Sequence, residues 1–194
     1  MGKRSPTLVV MDELTRLAMQ ARDGDVGALD SFVRRTQADV WRFCARLTDN
    51  QRADDLVQDT FLRAWRSLPS FRGDSMARTW LLGVATHVVA DHVRRNARRG
   101  RLLAVAGIQN MPVADPDISQ RPGNGADRSD ELGTLDLLNS LDFDQRAAFV
   151  LTQVIGCSYA ETAEIIGVPV GTVRSRVARA RGHLAEAVNQ AIAQ

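Results

Sequence analysis

Arg174, Arg176, Arg179 and Arg181, with His183, fall inside GTVRSRVARARGHL at 171–184, a stretch that contains no acid. Their chemistry is that of fixed positive charge and directed N–H donors, which suits phosphate oxygens and guanine edges. At about 100° per residue on a helix, Val173, Val177, Ala180 and Leu184 form one apolar stripe. Ser175, Ala178, Arg179 and Gly182 lie opposite, with Arg174 and Arg181 on one shoulder and Arg176 and His183 on the other. Small residues at the crest permit close approach to a major groove, where Arg179 can reach a base edge while the shoulder cations hold phosphates. A solvated basic face on an ordinary core helix is the competing reading, but such faces usually mix Glu with Arg at four-residue spacing.

The residues that position this stretch precede it. In SYAETAEIIGVPV, Ser158 and Glu161 make a capping box. A short helix follows with Ala160, Ala163 and Ile166 facing inward, Gly167 ends it, and Pro169 suits the first turn of the next helix. Short helix, tight turn and basic helix make a helix-turn-helix.

The chain has 194 residues, a hydrophobic content of 44% and a formal net charge of only +2. It is therefore no general polycation. Its basic residues concentrate at 171–184 and at Arg94, Arg95, Arg98, Arg99 and Arg101, whereas Asp54, Asp55 and Asp59 cluster elsewhere. That partition predicts one surface for nucleic acid and another for a basic protein partner. Cys44 and Cys157 have no clustered partners, which argues against a zinc site and for two helix-core thiols. No signal peptide and no membrane-spanning run is legible, so the expected location is the cytoplasm.

Helical periods follow one another without a strand run. Asp12–Arg22 reads as a short helix, and Asp25 caps a longer one with Leu29, Phe32, Val33, Val40, Phe43 and Leu47 inward. A third helix spans Ala53–Ser67 and a fourth, after LPSFRGDS, spans Met76–Arg98 with Trp80, Leu81, Val84 and Val88 inward. Residues 100–130 carry three Pro and four Gly without a sustained period and read as a linker, although LLAVAGI leaves room for a short helix. The expected fold is all-α: two small helical domains, 1–99 and 131–194, joined by a flexible linker, the second containing the helix-turn-helix. Leu132, Leu135, Leu138 and Leu141 face inward in the second domain, and Asp142 with Gln145 offers another capping box.

Three segments in order, DDLVQDTFLRAW at 54–65, FRGDSMARTWLLGVATHVVADHVRR at 71–95 and SYAETAEIIGVPVGTVRSRVARAR at 158–181, resemble the extracytoplasmic-function sigma factors of bacterial RNA polymerase. The resemblance covers nearly the whole chain. It implies that the first segment docks on a basic coiled coil of the largest polymerase subunit through Asp55, Gln58 and Asp59. Taken alone, Asp54 and Asp55 serve equally well as acids of a first helical turn, but Asp59 lies beyond it. The second segment resembles the part that melts the promoter and captures bases of the minus-ten element. Phe71, Arg72, Ser75, Arg78 and Trp80 supply the aromatic and cationic mixture that single-strand capture uses. Trp80 shares the buried stripe, whereas Phe71 precedes the helix and is the freer of the two. His87 stands where some members carry Asn. Asp91 and Arg94 either continue the readout or pair with each other, and Arg95, Arg98 and Arg99 resemble contacts to upstream backbone.

In the third segment, Arg174, Ser175, Ala178 and Arg179 match the family's base-facing positions at the minus-thirty-five element, and Tyr159, Thr172, Arg176 and Arg181 its phosphate contacts. The implied partners are core polymerase, through the largest-subunit coiled coil and the flap, and promoter DNA, with an anti-sigma factor as a further candidate. Neither a large N-terminal inhibitory region nor an extra C-terminal domain is expected. A linker of this size has a root-mean-square span of about 30–35 Å and a limit of about 115 Å. Two DNA turns measure roughly 70 Å, so one chain can hold both promoter elements. An autonomous dimeric helix-turn-helix regulator is the alternative, but it leaves Asp55, Asp59 and the loop at 71–80 unexplained. No Ser/His/Asp set, metal cluster or Gly-rich phosphate loop is legible, so neither an enzyme nor a cofactor is expected.

Overall fold

The computed structural model describes residues 12–48, 50–105 and 137–192, and among these every regular element is helical. The linker expected at 100–130 is only partly within them: 100–105 continue a helix, and 106–130 lie outside the described residues.

The first domain comprises α1 (Glu13–Arg22), α2 (Val26–Leu47), α3 (Asn50–Ser67) and α4 (Ala77–Val105), with a 3₁₀ turn at Leu68–Ser70. Local chemistry sets the starts. The Asp12 carboxylate accepts from the Thr15 N–H at 2.7 Å, and that of Asp25 from the Ala28 N–H at 2.9 Å. Each satisfies a donor that the first helical turn leaves without a partner. The orphan N–H of Ala77, opening α4, is met from outside by the buried Thr15 hydroxyl of α1 at 2.9 Å. Two expected boundaries move. The third helix begins at Asn50 rather than Ala53, and the fourth runs to Val105 rather than Arg98, since ARRGRLLAV holds no Pro to stop it.

Phe32, Val40, Phe43, Leu56, Leu81, Leu82, Val88 and Val89 fill the core between α2, α3 and α4. Leu29, Val33, Phe61, Leu62 and Trp65 line an apolar groove between α2 and α3 instead of closing over it. Leu62 and Trp65 are more than half exposed there.

The second domain comprises α5 (Phe143–Phe149), α6 (Tyr159–Ile166) and α7 (Val170–Ile192), preceded by a helical turn at 137–139. Of its four expected leucines, Leu138 and Leu141 are buried, and Leu132 and Leu135 lie outside the described residues. The Asp142 carboxylate caps α5 through the Gln145 N–H at 2.8 Å, but Gln145 Oε1 is buried without a partner, so the second capping box is half made. α5 widens into a π turn at Val150–Val154, closed by the Ile155 N–H on the Val150 carbonyl at 3.0 Å. Gly156, at φ 78°, then reverses the chain into the buried Cys157.

The Ser158–Glu161 box on α6 is complete, at 3.2 and 2.7 Å. Gly167 ends α6 in the left-handed conformation (φ 67°), where a side chain would be strained. The buried face of α6 differs from the expected one: Thr162, Ala163 and Ile165 are inward and Ala160 is exposed. The cause is two-sided packing. Ala163 joins Val173 and Val177 of α7, whereas Ile165 joins the core of the first domain.

The domains meet where α6 crosses α4. A Cβ at Gly83 would stand 3.7 Å from the Ile165 carbonyl oxygen. Two arginines cross this junction reciprocally. Arg78 donates to the Ile155 carbonyl at 2.8 Å, and Arg146 reaches the Leu47 carbonyl at 3.4 Å.

Both cysteines are free and buried, Cys44 within α2 and Cys157 in the turn before α6 rather than in a helix. Burial pushes the Cys44 thiol up to about 12, and the Cys157 thiol up to about 11. At pH 8 less than about one part in a hundred of either is thiolate, the reactive form. The native chain is expected to resist an aromatic disulfide reagent at pH 8 and to release two equivalents of thiol in denaturant. Rapid native labelling would contradict this packing.

Candidate nucleic-acid interface

On α7 the apolar stripe is in place. Val173, Val177 and Ala180 are buried against the domain and Leu184 is half-buried. Arg174, Ala178, Arg179, Gly182 and His183 are exposed. Ser175 is partly buried and turns its hydroxyl back to the Thr172 carbonyl at 2.9 Å, and Tyr159 packs beside Ala163. Two of the shoulder cations have protein partners: Arg176 pairs with Asp144 of α5, and Arg181 donates to Gln153 Oε1 at 2.7 Å. Those partners hold the two guanidinia beside the crest, where Arg179 is exposed, with Arg174 exposed on the same shoulder as Arg181.

The loop and helix at 71–95 distribute their residues differently from the sequence reading. Phe71 is not free to serve the loop. It is 5% exposed and its ring lies 4.9 Å from that of Trp80. Its carbonyl accepts from Arg22 at 3.1 Å. The chain reverses direction here, so an aromatic side chain at the reversal is drawn inward to cover the end of the bundle. Arg72 is exposed. Ser75, Trp80, Val84 and His87 line a groove between α4 and α6 together with Glu164 and Ile165. His87 is exposed, with Nδ1 2.7 Å from the Gly83 carbonyl.

Arg78 turns toward the domain junction, binding Asp39 at 2.7 Å as well as the Ile155 carbonyl, with Cys157 Sγ at 3.7 Å. Burial opposes its charge, but the hydrogen bond and charge of Asp39 outweigh burial and hold the guanidinium above its ordinary pKa. Asp39 escaped the sequence reading. It lies 39 residues before its partner, and only the packing of α2 on α4 brings them together. Of the two options for Asp91 and Arg94, pairing is realised, at 2.7 Å. Arg95 is exposed, and its Nε donates to the Asp91 carbonyl at 3.3 Å.

On α3, Asp55 and Gln58 are exposed. Asp59 is partly exposed and bound by Arg63 at 2.9 Å. Trp41 of α2, also unanticipated, donates its indole N–H to Asp54 at 3.0 Å. Among the described residues no group of His, Cys, Asp and Glu could hold a metal ion, and no helix is long and apolar enough to cross a membrane.

Sigma-70 region 2 matches residues 32–99, and Sigma-70 region 4 matches residues 133–184. The ECF RNA polymerase sigma factor SigC of Mycobacterium tuberculosis is 47% identical over 173 residues, covering 89% of this chain and 90% of that one. The ECF RNA polymerase sigma-E factor of Escherichia coli is 34% identical over 169 residues, covering 85% and 88%. Among solved structures, CnrH in complex with the cytosolic domain of CnrY aligns with a TM-score of 0.72 at 27% identity, covering 92% and 99%. The sigma factor RpoE of Bartonella quintana, in complex with the anti-sigma factor NepR, aligns at 0.64 and 27%, covering 84% and 98%. Both sigma-70 regions occur in order within one all-helical chain, and the likeness to these factors runs through both, so the chain belongs to the extracytoplasmic-function sigma factors.

Proposed function

We infer that this alternative sigma factor divides promoter-specific initiation among three surfaces. Asp55, Gln58 and Asp59 on α3 dock core RNA polymerase. The groove edge and α4, with Arg72, Ser75, His87, Arg94 and Arg95, engage and open the minus-ten element. Arg179 at the crest of α7, with Arg174 on its shoulder, reads the minus-thirty-five element, and Thr172, Arg176 and Arg181 hold its phosphates. The chain performs no chemical step of its own in this reading; polymerase supplies the chemistry, which places the work in the cytoplasm. RpoE of Bartonella quintana was captured with an anti-sigma factor, which makes such an inhibitor a further candidate partner.

The observation that carries this reading is the separation of charge: exposed acids on α3, exposed cations on α4 and α7. A helix-turn-helix regulator acting alone has no use for the acidic face. Run-off transcription with purified core polymerase and a pool of promoter fragments tests it. Discrete, chain-dependent start sites are expected, and DNA binding without any stimulation of core would refute it.

The same assay separates reader from holder. Arg179→Ala should remove about 1–3 kcal/mol of discrimination at one upstream base pair. Arg176→Ala should weaken all promoters nearly equally and flatten the salt slope by about one. Identical shifts in base preference for both variants would overturn the crest-and-shoulder assignment.

A further inference from the structure

Arg63 touches both faces of the first domain. Its Nε donates to Asp59 Oδ1 at 3.2 Å and its Nη2 to Asp59 Oδ2 at 2.9 Å. Its remaining nitrogen, Nη1, crosses from α3 to α4 and donates to Asp91 Oδ2 at 2.9 Å. The other Asp91 oxygen accepts from Arg94 Nη2 at 2.7 Å. The result is a chain of alternating charge, Asp59–Arg63–Asp91–Arg94, running from the acidic face to the basic one. Hydrogen bonds from Arg63 and then Arg94 hold the Asp91 carboxyl below its ordinary pKa, and those to Asp91 and Asp59 hold Arg63 above its own.

In such a chain, competition at one end is felt at the other. A cation that takes Asp59 releases Arg63 to Asp91, and Asp91 then loosens its hold on Arg94. Linkage requires the reverse: an anion that takes Arg94 leaves Asp91 to Arg63 and frees Asp59. The fork matters, because a planar guanidinium serves two carboxylates at fixed angles and an ammonium is a single point charge.

We propose that Arg63 is a positioning residue that couples core-polymerase docking at Asp59 to phosphate capture by Arg94, through Asp91. The proposal rests on the assignment of Asp59 to polymerase and Arg94 to DNA made above. Exposed ion pairs are individually weak, so the coupling is modest, roughly threefold.

Titration of core polymerase with the full chain, without DNA, is the test. Arg94→Ala should raise core affinity roughly threefold, because Asp91 then draws Arg63 away from Asp59. Asp91→Asn should lower it by a similar factor, because Arg63 then grips Asp59 alone. Both effects should vanish in an Arg63→Lys background, which keeps the charge and loses the fork. Equal effects in the Arg63→Lys background would show a through-space field and overturn the relay, as would no effect in the wild type. Asp59→Asn alone must weaken core binding. If it does not, the docking assignment itself has failed, a result distinct from failure of the relay. All four side chains are partly or fully exposed, and matching thermal unfolding of each variant separates these outcomes from misfolding.

Discussion

Asp55→Arg combined with Asp59→Arg is expected to weaken binding to core RNA polymerase by roughly a hundredfold, in the range seen for close interfacial charge pairs. The unfolding temperature should hardly move. Asp55 is exposed. Arginine at position 59 would face Arg63 one turn on, a like-charge pair worth about 0.5 kcal/mol on a helix surface. The two effects therefore differ several-fold in energy, and parallel anisotropy and thermal-melt measurements resolve them. Unchanged core affinity would move the docking site elsewhere, first to the apolar groove beside Trp65.

Phe71→Ala should destabilise the fold by about 3–5 kcal/mol, the usual cost of truncating a buried phenylalanine. Phe71 is 5% exposed and its ring packs at a tilt of 38° against that of Trp80, so the variant loses burial, an aromatic contact and the cover over the end of the bundle. His87→Ala, at an exposed position, should leave stability within about 0.5 kcal/mol and slow open-complex formation. Urea denaturation reads the first effect, and permanganate footprinting of the minus-ten region reads the second. A Phe71→Ala chain of wild-type stability would restore the ring to the loop as a free stacking surface. A His87→Ala chain that melts promoters at the wild-type rate would remove His87 from the readout.

Several helix starts were legible because their signals are local, although that of α3 lies at Asn50 rather than Ala53. Asp12, Asp25, Asp142 and Ser158 each sit three residues before the N–H they cap. The crest of α7 was legible for a similar reason, since one side of the helix is buried and the other is not. The inward face of α6 was not, because a helix packed on two sides has no single apolar stripe. The partners of Asp59 and Asp91 were half-legible. Arg63 and Arg94 lie four and three residues away, within helical reach. The bridge from Arg63 to Asp91 spans 28 residues and exists only once α3 packs on α4. Phe71 was misread because position in a loop says nothing about which way a ring points.

The π turn at Val150–Val154 carries a consequence for length. In a regular α-helix, removing one residue rotates everything beyond it by about 100° and takes each side chain off its face. A π turn already contains one surplus residue, here closed by the Ile155 N–H on the Val150 carbonyl. Deleting a single residue, such as Thr152, would convert that closure to the ordinary four-residue span. Val150 and Leu151 would keep their places in the core, and Ile155 would still follow on the same side. Single-residue deletions should therefore be tolerated at 152–154, which spare the buried Val150 and Leu151, and lethal to folding one turn earlier, at Ala147 or Ala148.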